Sequence, residues 1–393
     1  MKIGFLITAG LAMVATVAQA QQATYWMTAE TGSGMNLQPG LAGLGKKQQD
    51  YTRNLRLHLG SSRSAAADAK AEHIPPADLG AGPALPLKLV KDDGGREKGI
   101  VSWEDLDIKG RMLIYWGCGN NVRANQPAII DFSKAKQAGA KIIPASILQF
   151  SQPPLPSAKK NASYSNWPNE KSSKPIPAQG SLAGDHVVRG AYTPDISFSL
   201  SQNQDFLAPV VLTSSTSPAA DGTIQLAWNP VVNAKGYFAM AQSSAANGDM
   251  VYWSSSEVPT MGAPDFMQAS EINRLLQKKA LLGQTQTQCT IPAEVAKHLS
   301  GAMLNISAFG PEASFSHPPK PANAKADWRP EWTAHLLTKA SYFSAMGMEA
   351  KLAGRGRDDD AGAEGDEEET ETPEQAKKSL LKKGVGGLLK KVF

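Results

Sequence analysis

The chain has 393 residues, of which 19% are charged and 41% apolar, and its formal net charge is +4. At about 150 residues per domain this allows two or three domains, and the charge is too small to mark a nucleic-acid-binding chain by itself. With 35 Gly and 26 Pro the chain must turn often, and no motif in it names a reaction.

Residues 1–20 read as a secretory signal peptide. Lys2 supplies a positive start, Ile3 to Val17 an apolar stretch, and Ala18-Gln19-Ala20 a small-x-small cleavage site before Gln21. The apolar run is short for a membrane span. An uncleaved anchor is the alternative. No Cys lies near the cut, so lipoprotein processing is not indicated, and no later run of about 18 apolar residues predicts a spanning helix.

The predicted elements then follow in order. Ala23 to Met27 is strand-like. Leu55, Leu57 and Leu59 alternate with Arg56 and His58, the period-2 pattern of a strand with one wet face. Residues 85–90 can pair as a short strand. Arg111 to Trp116 is a continuous apolar run and predicts a strand buried on both faces. Ala128 to Phe132 is a further short candidate, and Ser133 to Gln137 a brief helix. Residues 151–183 hold six prolines among polar residues and read as a surface excursion anchored by Trp167. Ile196, Phe198 and Leu200 mark another strand. Residues 21–205 are thus expected to form an N-terminal β-rich domain with long connections.

Residues 206–319 alternate most clearly. Ile224, Leu226 and Trp228 form one run, and Tyr237, Ala239 and Ala241 the next. Asn247-Gly248-Asp249 is a turn signal. Met250 to Trp253, Thr290-Ile291, Leu304 to Ala308 and Phe315 follow. The early Trp228 before Pro230, Tyr237 in the next strand and a late strand running into Gly310-Pro311-Glu312 give this region its character. It resembles a fibronectin type III or related immunoglobulin-like module. The resemblance implies a sandwich used for binding or spacing. Ser270 to Gly283 departs from it: Ile272, Leu275, Leu276 and Leu282 sit at helical spacing, with Ser270 and Gly283 placed to cap a helical insertion. In 320–353, a linker leads to Trp332–Met348, which fits either strands returning to the first domain or a helix.

The end of the chain reverses charge. Nine carboxylates occupy 358–371 without a basic residue, which predicts a disordered acidic linker over 354–373. Over 374–393 the charge is basic: Lys377, Lys378, Lys382, Lys383, Lys390 and Lys391 flank an apolar stripe of Leu381, Val385, Leu388 and Val392, with Leu389 and Phe393 beside it. Such an amphipathic helix suits an anionic membrane surface or a groove on a partner protein. Gly384, Gly386 and Gly387 cost it about 1 kcal/mol each, so folding is expected on binding.

Candidates for chemistry are sparse. The six histidines are not at metal-ligand spacing, and the two cysteines are too far apart for a local zinc site. Export permits a Cys118–Cys289 disulfide; two buried thiols are the alternative. Cys118, between Gly117 and Gly119, is also the best candidate nucleophile, with His186 as its base. Trp103 beside Glu104, Asp105 and Asp107 offers paired carboxylates, although three acids in five residues are more often a solvated turn. Trp26, Trp116, Trp167, Trp253, Trp328 and Trp332 would stack on sugar rings where exposed. No cofactor, metal or nucleic acid is implied. The expectation is a mainly β protein: two β-sandwich-like domains, the second fibronectin type III-like with a helical insertion, then the acidic linker and basic helix. Its expected role is non-enzymatic binding or scaffolding in the periplasm or outside the cell, at a membrane surface or envelope protein. An envelope hydrolase and a glycan-binding protein are the alternatives.

Overall fold

A computed structural model describes residues 22–34, 51–91, 110–132, 143–244, 247–324 and 328–347. The signal-like stretch 1–20, Trp103 to Asp107, Ser133 to Gln137, the acidic segment and the whole basic segment with Lys377 to Phe393 lie outside the described residues.

In chain order the elements are β1 (Ala23–Gly34), β2 (Tyr51–Ser61), β3 (Ala71–Ile74), β4 (Leu85–Val90), β5 (Arg111–Trp116), β6 (Ala128–Asp131), β7 (Ser163–Trp167), β8 (Gly184–Gly190) and β9 (Ile196–Leu200). There follow β10 (Ile224–Ala227), β11 (Gly236–Ser244), β12 (Met250–Ser254), helix α1 (Ala269–Gln277), β13 (Leu282–Gly283), β14 (Gln288–Ile291), a one-turn helix at Ala293–Ala296, β15 (Met303–His317) and β16 (Trp332–Ala345).

The described fold is mainly β. Fourteen strands share one mixed sheet, in the order β6-β5-β12-β11-β15-β16-β1-β2-β7-β4-β3-β8-β9, with β13 beside β11. Strands β10 and β14 form a separate pair. Two pairings are parallel, β1 with β16 and β12 with β5. The second joins Arg111–Trp116 to Met250–Ser254, so the sheet runs through both halves of the sequence.

Strands β12, β11 and the first half of β15 are buried on both faces. Tyr237, Ala239, Ala241, Val251, Trp253, Leu304 and Ile306 point to one side and meet Ile224, Leu226 and Ile291 of the β10–β14 pair. The residues between them, Phe238, Met240 and Tyr252, point to the other side with Met112 and Ile114, and α1 covers them with Ile272 and Leu275. Two-sided burial explains the unbroken apolar run of β5, and it corrects the alternation read in β11, where Phe238 and Met240 are buried as well as Tyr237, Ala239 and Ala241. At the other end, Tyr25, Met27, Leu57 and Leu59 face Leu79, Val188, Ile196 and Leu200, so that end closes over a second core.

Several local expectations are corrected. Residues 151–183 are not only a surface excursion, because β7 lies inside the sheet between β2 and β4. Its inward residues Ser163 and Ser165 are small and polar, which hid the strand. The helix predicted from Ser270 to Gly283 ends at Gln277. Leu281 and Leu282 enter opposite cores, a period-2 demand that a helix cannot meet. Gly283 therefore pairs in β13 with Gly236. Ser270 is not the cap: Gln268 holds that position without a side-chain bond. Trp332 to Ala345 takes the strand alternative, with Leu336 and Leu337 buried in different clusters.

Candidate functional site

An open concavity lies over the outward face of β4, β3 and β8. Along β3, Ala71 and His73 turn inward while Glu72 turns out. In register beside Glu72 lie Pro86 and Arg189. Lys88 extends the face, and Asp68, Lys70, Asn169 and Lys171 wall it into an open groove of about 670 Å³. Lys88 pairs with Glu170 at 2.7 Å and Arg189 with Asp195 at 3.5 Å, but both carboxylates are largely exposed. Such pairs exchange readily for a ligand's charges, since exposed ion pairs contribute only about 0–1 kcal/mol. Among the described residues the lining contains no hydroxyl, thiol or imidazole. It offers side chains of both charges and one amide to the groove.

The residues nominated for a nucleophilic site do not meet. Cys118 is bonded to Cys289, with Sγ–Sγ 2.08 Å and Cα–Cα 5.1 Å. A disulfide sulfur is no thiolate, so Cys118 cannot serve as the proposed nucleophile. The bond fixes the Gly turn after β5 to β14, and Gly119 N–H adds a bond to Thr290 O at 2.9 Å. His186 lies fully buried on β8 in the other core.

A second constellation has the residue types of a hydrolase without its geometry. Ser314 Oγ lies 3.0 Å from His335 Nδ1 and 3.2 Å from Glu312 Oε1, and Glu312 Oε1 is 3.5 Å from that same Nδ1. A base that activates serine needs the hydroxyl on one ring nitrogen and the acid on the other. Here both oxygens address one nitrogen, while the ring stacks on Trp26 at 4.3 Å. The cluster orients a side chain and caps α1.

The tryptophans are mostly interior. Trp26, Trp167, Trp253 and Trp332 are buried, while Trp116 and Trp328 are half-exposed. The buried four have no face to offer a sugar.

A chain of buried polar groups in the second core has no signal in the periodicity of the sequence. Tyr25 Oη lies 2.9 Å from His73 Nδ1, His73 Nε2 lies 3.1 Å from His186 Nδ1, and His186 Nε2 lies 2.7 Å from Leu182 O. Phe198 stacks on the His186 ring. Burial holds His73 well below the ordinary imidazole range, and the adjacent His186 adds to this. Burial also lowers His186, against the upward pull of Leu182 O, Asp185 and Asp205. Burial raises the Tyr25 phenol. The histidines are 113 residues apart, in strands of four and seven residues, and neither strand has a pattern that announces the contact.

No family model matches the chain, and neither a curated protein nor a solved structure matches it. The functional reading therefore rests on the chain's own residues.

Proposed function

We propose that this is an exported, non-enzymatic binding or scaffolding protein of the cell envelope, docked to a membrane surface or an envelope partner by its basic C-terminal segment. The Cys118–Cys289 bond carries the reading, because such bonds persist in oxidising compartments. The signal-like pattern of residues 1–20 supports the same compartment. The groove between Lys70, Lys88 and Arg189 supports recognition over chemistry, since it combines fixed charges with an open floor. We read 206–319 as a fibronectin type III-like pair of layers built into the longer sheet, supported by the packing of β10 and β14 on β11, β12 and β15.

Fractionation of cells producing the full chain tests the export part. The expected product is extracytoplasmic, starts at Gln21 and resists thiol alkylation until reduced. Unprocessed cytoplasmic protein with two alkylated cysteines would overturn it. Co-sedimentation with phosphatidylglycerol vesicles tests the docking part. The full chain should bind, and the variant Lys377→Glu/Lys378→Glu/Lys382→Glu/Lys383→Glu should not. Equal binding by both removes the membrane from the proposal, and crosslinking to an envelope protein then decides for the partner.

A further inference from the structure

His73 and His186 are the two fully buried histidines among the described residues. Their hydrogens are fixed by logic. A carbonyl only accepts, so His186 Nε2 carries its proton and donates to Leu182 O. In the neutral ring Nδ1 is then bare and accepts from His73 Nε2. That leaves His73 Nδ1 bare, and the Tyr25 hydroxyl donates to it. All four ring nitrogens are used, and the relay runs in one direction.

An added proton has no place in this arrangement. On His186 Nδ1 it would face the His73 Nε2 hydrogen across 3.1 Å. Reversing the His73 tautomer relieves that clash but points its Nδ1 hydrogen at Tyr25, whose hydroxyl then loses its acceptor. Either way a bond is lost and a charge sits in an apolar core, which is costly. The other titratable groups facing the pair are few. Asp185 lies on β8, and Asp205 follows β9 and holds the N–H of Leu182 at 2.8 Å. Strand β9 presents Phe198, itself stacked on Phe315 of β15.

The placement gives this chemistry a mechanical consequence. Tyr25 belongs to β1, in the middle of the sheet, whereas His73 and His186 belong to β3 and β8, next to its end. The relay fastens the terminal layer to the central strands across the core they share. A layer at the end of a sheet can separate without breaking pairings on both of its sides.

We propose that the Tyr25–His73–His186 relay is an acid-sensitive latch, whose protonation releases the β3–β8–β9 layer from β1 while the core closed by Cys118–Cys289 stays folded. The released histidines regain an ordinary affinity for protons, about pKa 6.5. The open state then binds more protons than the closed one, so the closed state loses stability as pH falls below that value. Opening should rise up to about tenfold per histidine per pH unit, or about a hundredfold for the pair between pH 6 and 5.

Amide hydrogen exchange on the full chain, corrected for intrinsic rates from pH 7.5 to 4.5, reads this directly. Amides of β3, β8 and β9 should lose protection by about a hundredfold from pH 6 to 5, while those of β11 and of 303–309 should lose about tenfold at most. The variant Tyr25→Phe keeps both rings and removes only the donor. It weakens the closed latch at every pH, so a given degree of opening should be reached at higher pH. His73→Gln/His186→Gln should flatten the pH response, and if that variant does not fold, Tyr25→Phe alone decides. Uniform loss of protection across both cores, no selective loss in the terminal layer, or an unmoved onset in Tyr25→Phe would each overturn the proposal.

Discussion

Glu312 Oε2 accepts the backbone N–H of Ala269 at 3.0 Å, so a carboxylate on β15 caps α1 from 43 residues away. Gln268 and Ser314 also donate to it. Its carboxyl is held down at about 2, chiefly by the adjacent His335 imidazole and against the opposing effect of burial. A depressed carboxyl pKa stabilises the fold above the ordinary value of 4.5, and that contribution fades as pH falls from 4.5 toward 2. Glu312→Gln keeps an oxygen for Ala269 and removes the charge. It should cost about 1–2 kcal/mol at pH 7 and little at about pH 2, as read by urea unfolding at both. An equal cost at both pH values would show that the charge is not what matters.

The Cys118–Cys289 bond closes a separation of 171 residues. Long closures restrict the unfolded chain most, and native disulfides typically contribute about 2–5 kcal/mol. Cys118→Ala/Cys289→Ala should lower the urea midpoint accordingly. A reductant added to the unmodified chain should produce a similar shift. No change in either would mean that the β10–β14 pair is held by apolar packing alone.

These two relationships mark the boundary of what the sequence could reveal. Wherever alternation was apolar against polar, as at Leu55, Leu57 and Leu59, or unbroken, as at Arg111 to Trp116, strands form where the pattern placed them. Burial of one face or two writes that pattern. Strands β3, β7 and β8 escaped because their inward positions include His73, Ser163, Ser165 and His186, which reach partners by hydrogen bonds. Polar partners distant in sequence leave no periodic trace. The cap of α1 escaped for the same reason: its acid comes from another element. The groove was invisible as well, since only the register of β3 between β4 and β8 brings Glu72 beside Arg189.

Gly310 sits in the bulge of β15, where a Cβ would collide with the Thr338 hydroxyl and approach Leu207 at 3.2 Å. Gly310→Ala should therefore destabilise by about 1–3 kcal/mol, the usual cost of overfilling a packed site. The Thr338 hydroxyl is buried without a hydrogen-bond partner, so Thr338→Ala should be close to neutral. Combining the two should recover much of the loss. If the double variant is as unstable as the sum of the singles, the obstacle is elsewhere.

His58 supplies an acid response on the opposite face of the sheet from the buried relay. Its Nδ1 lies 2.8 Å from the Tyr164 hydroxyl. Burial, aided by the Arg56 charge, lowers it from 6.5 to about 4. The unfolded chain therefore takes up this proton first, and the fold loses stability as pH falls from 6.5 to about 4. Between pH 7 and pH 5 the ring should account for about 2 kcal/mol of lost stability. His58→Asn retains an acceptor near the Nδ1 position and cannot titrate. It should be less stable than the unmodified chain at pH 7, yet the gap between them should close by about 2 kcal/mol at pH 5. The comparison isolates this ring, because His73 and His186 titrate alike in both chains. A gap that stays constant with pH would mean that His58 accepts its proton without leaving the fold.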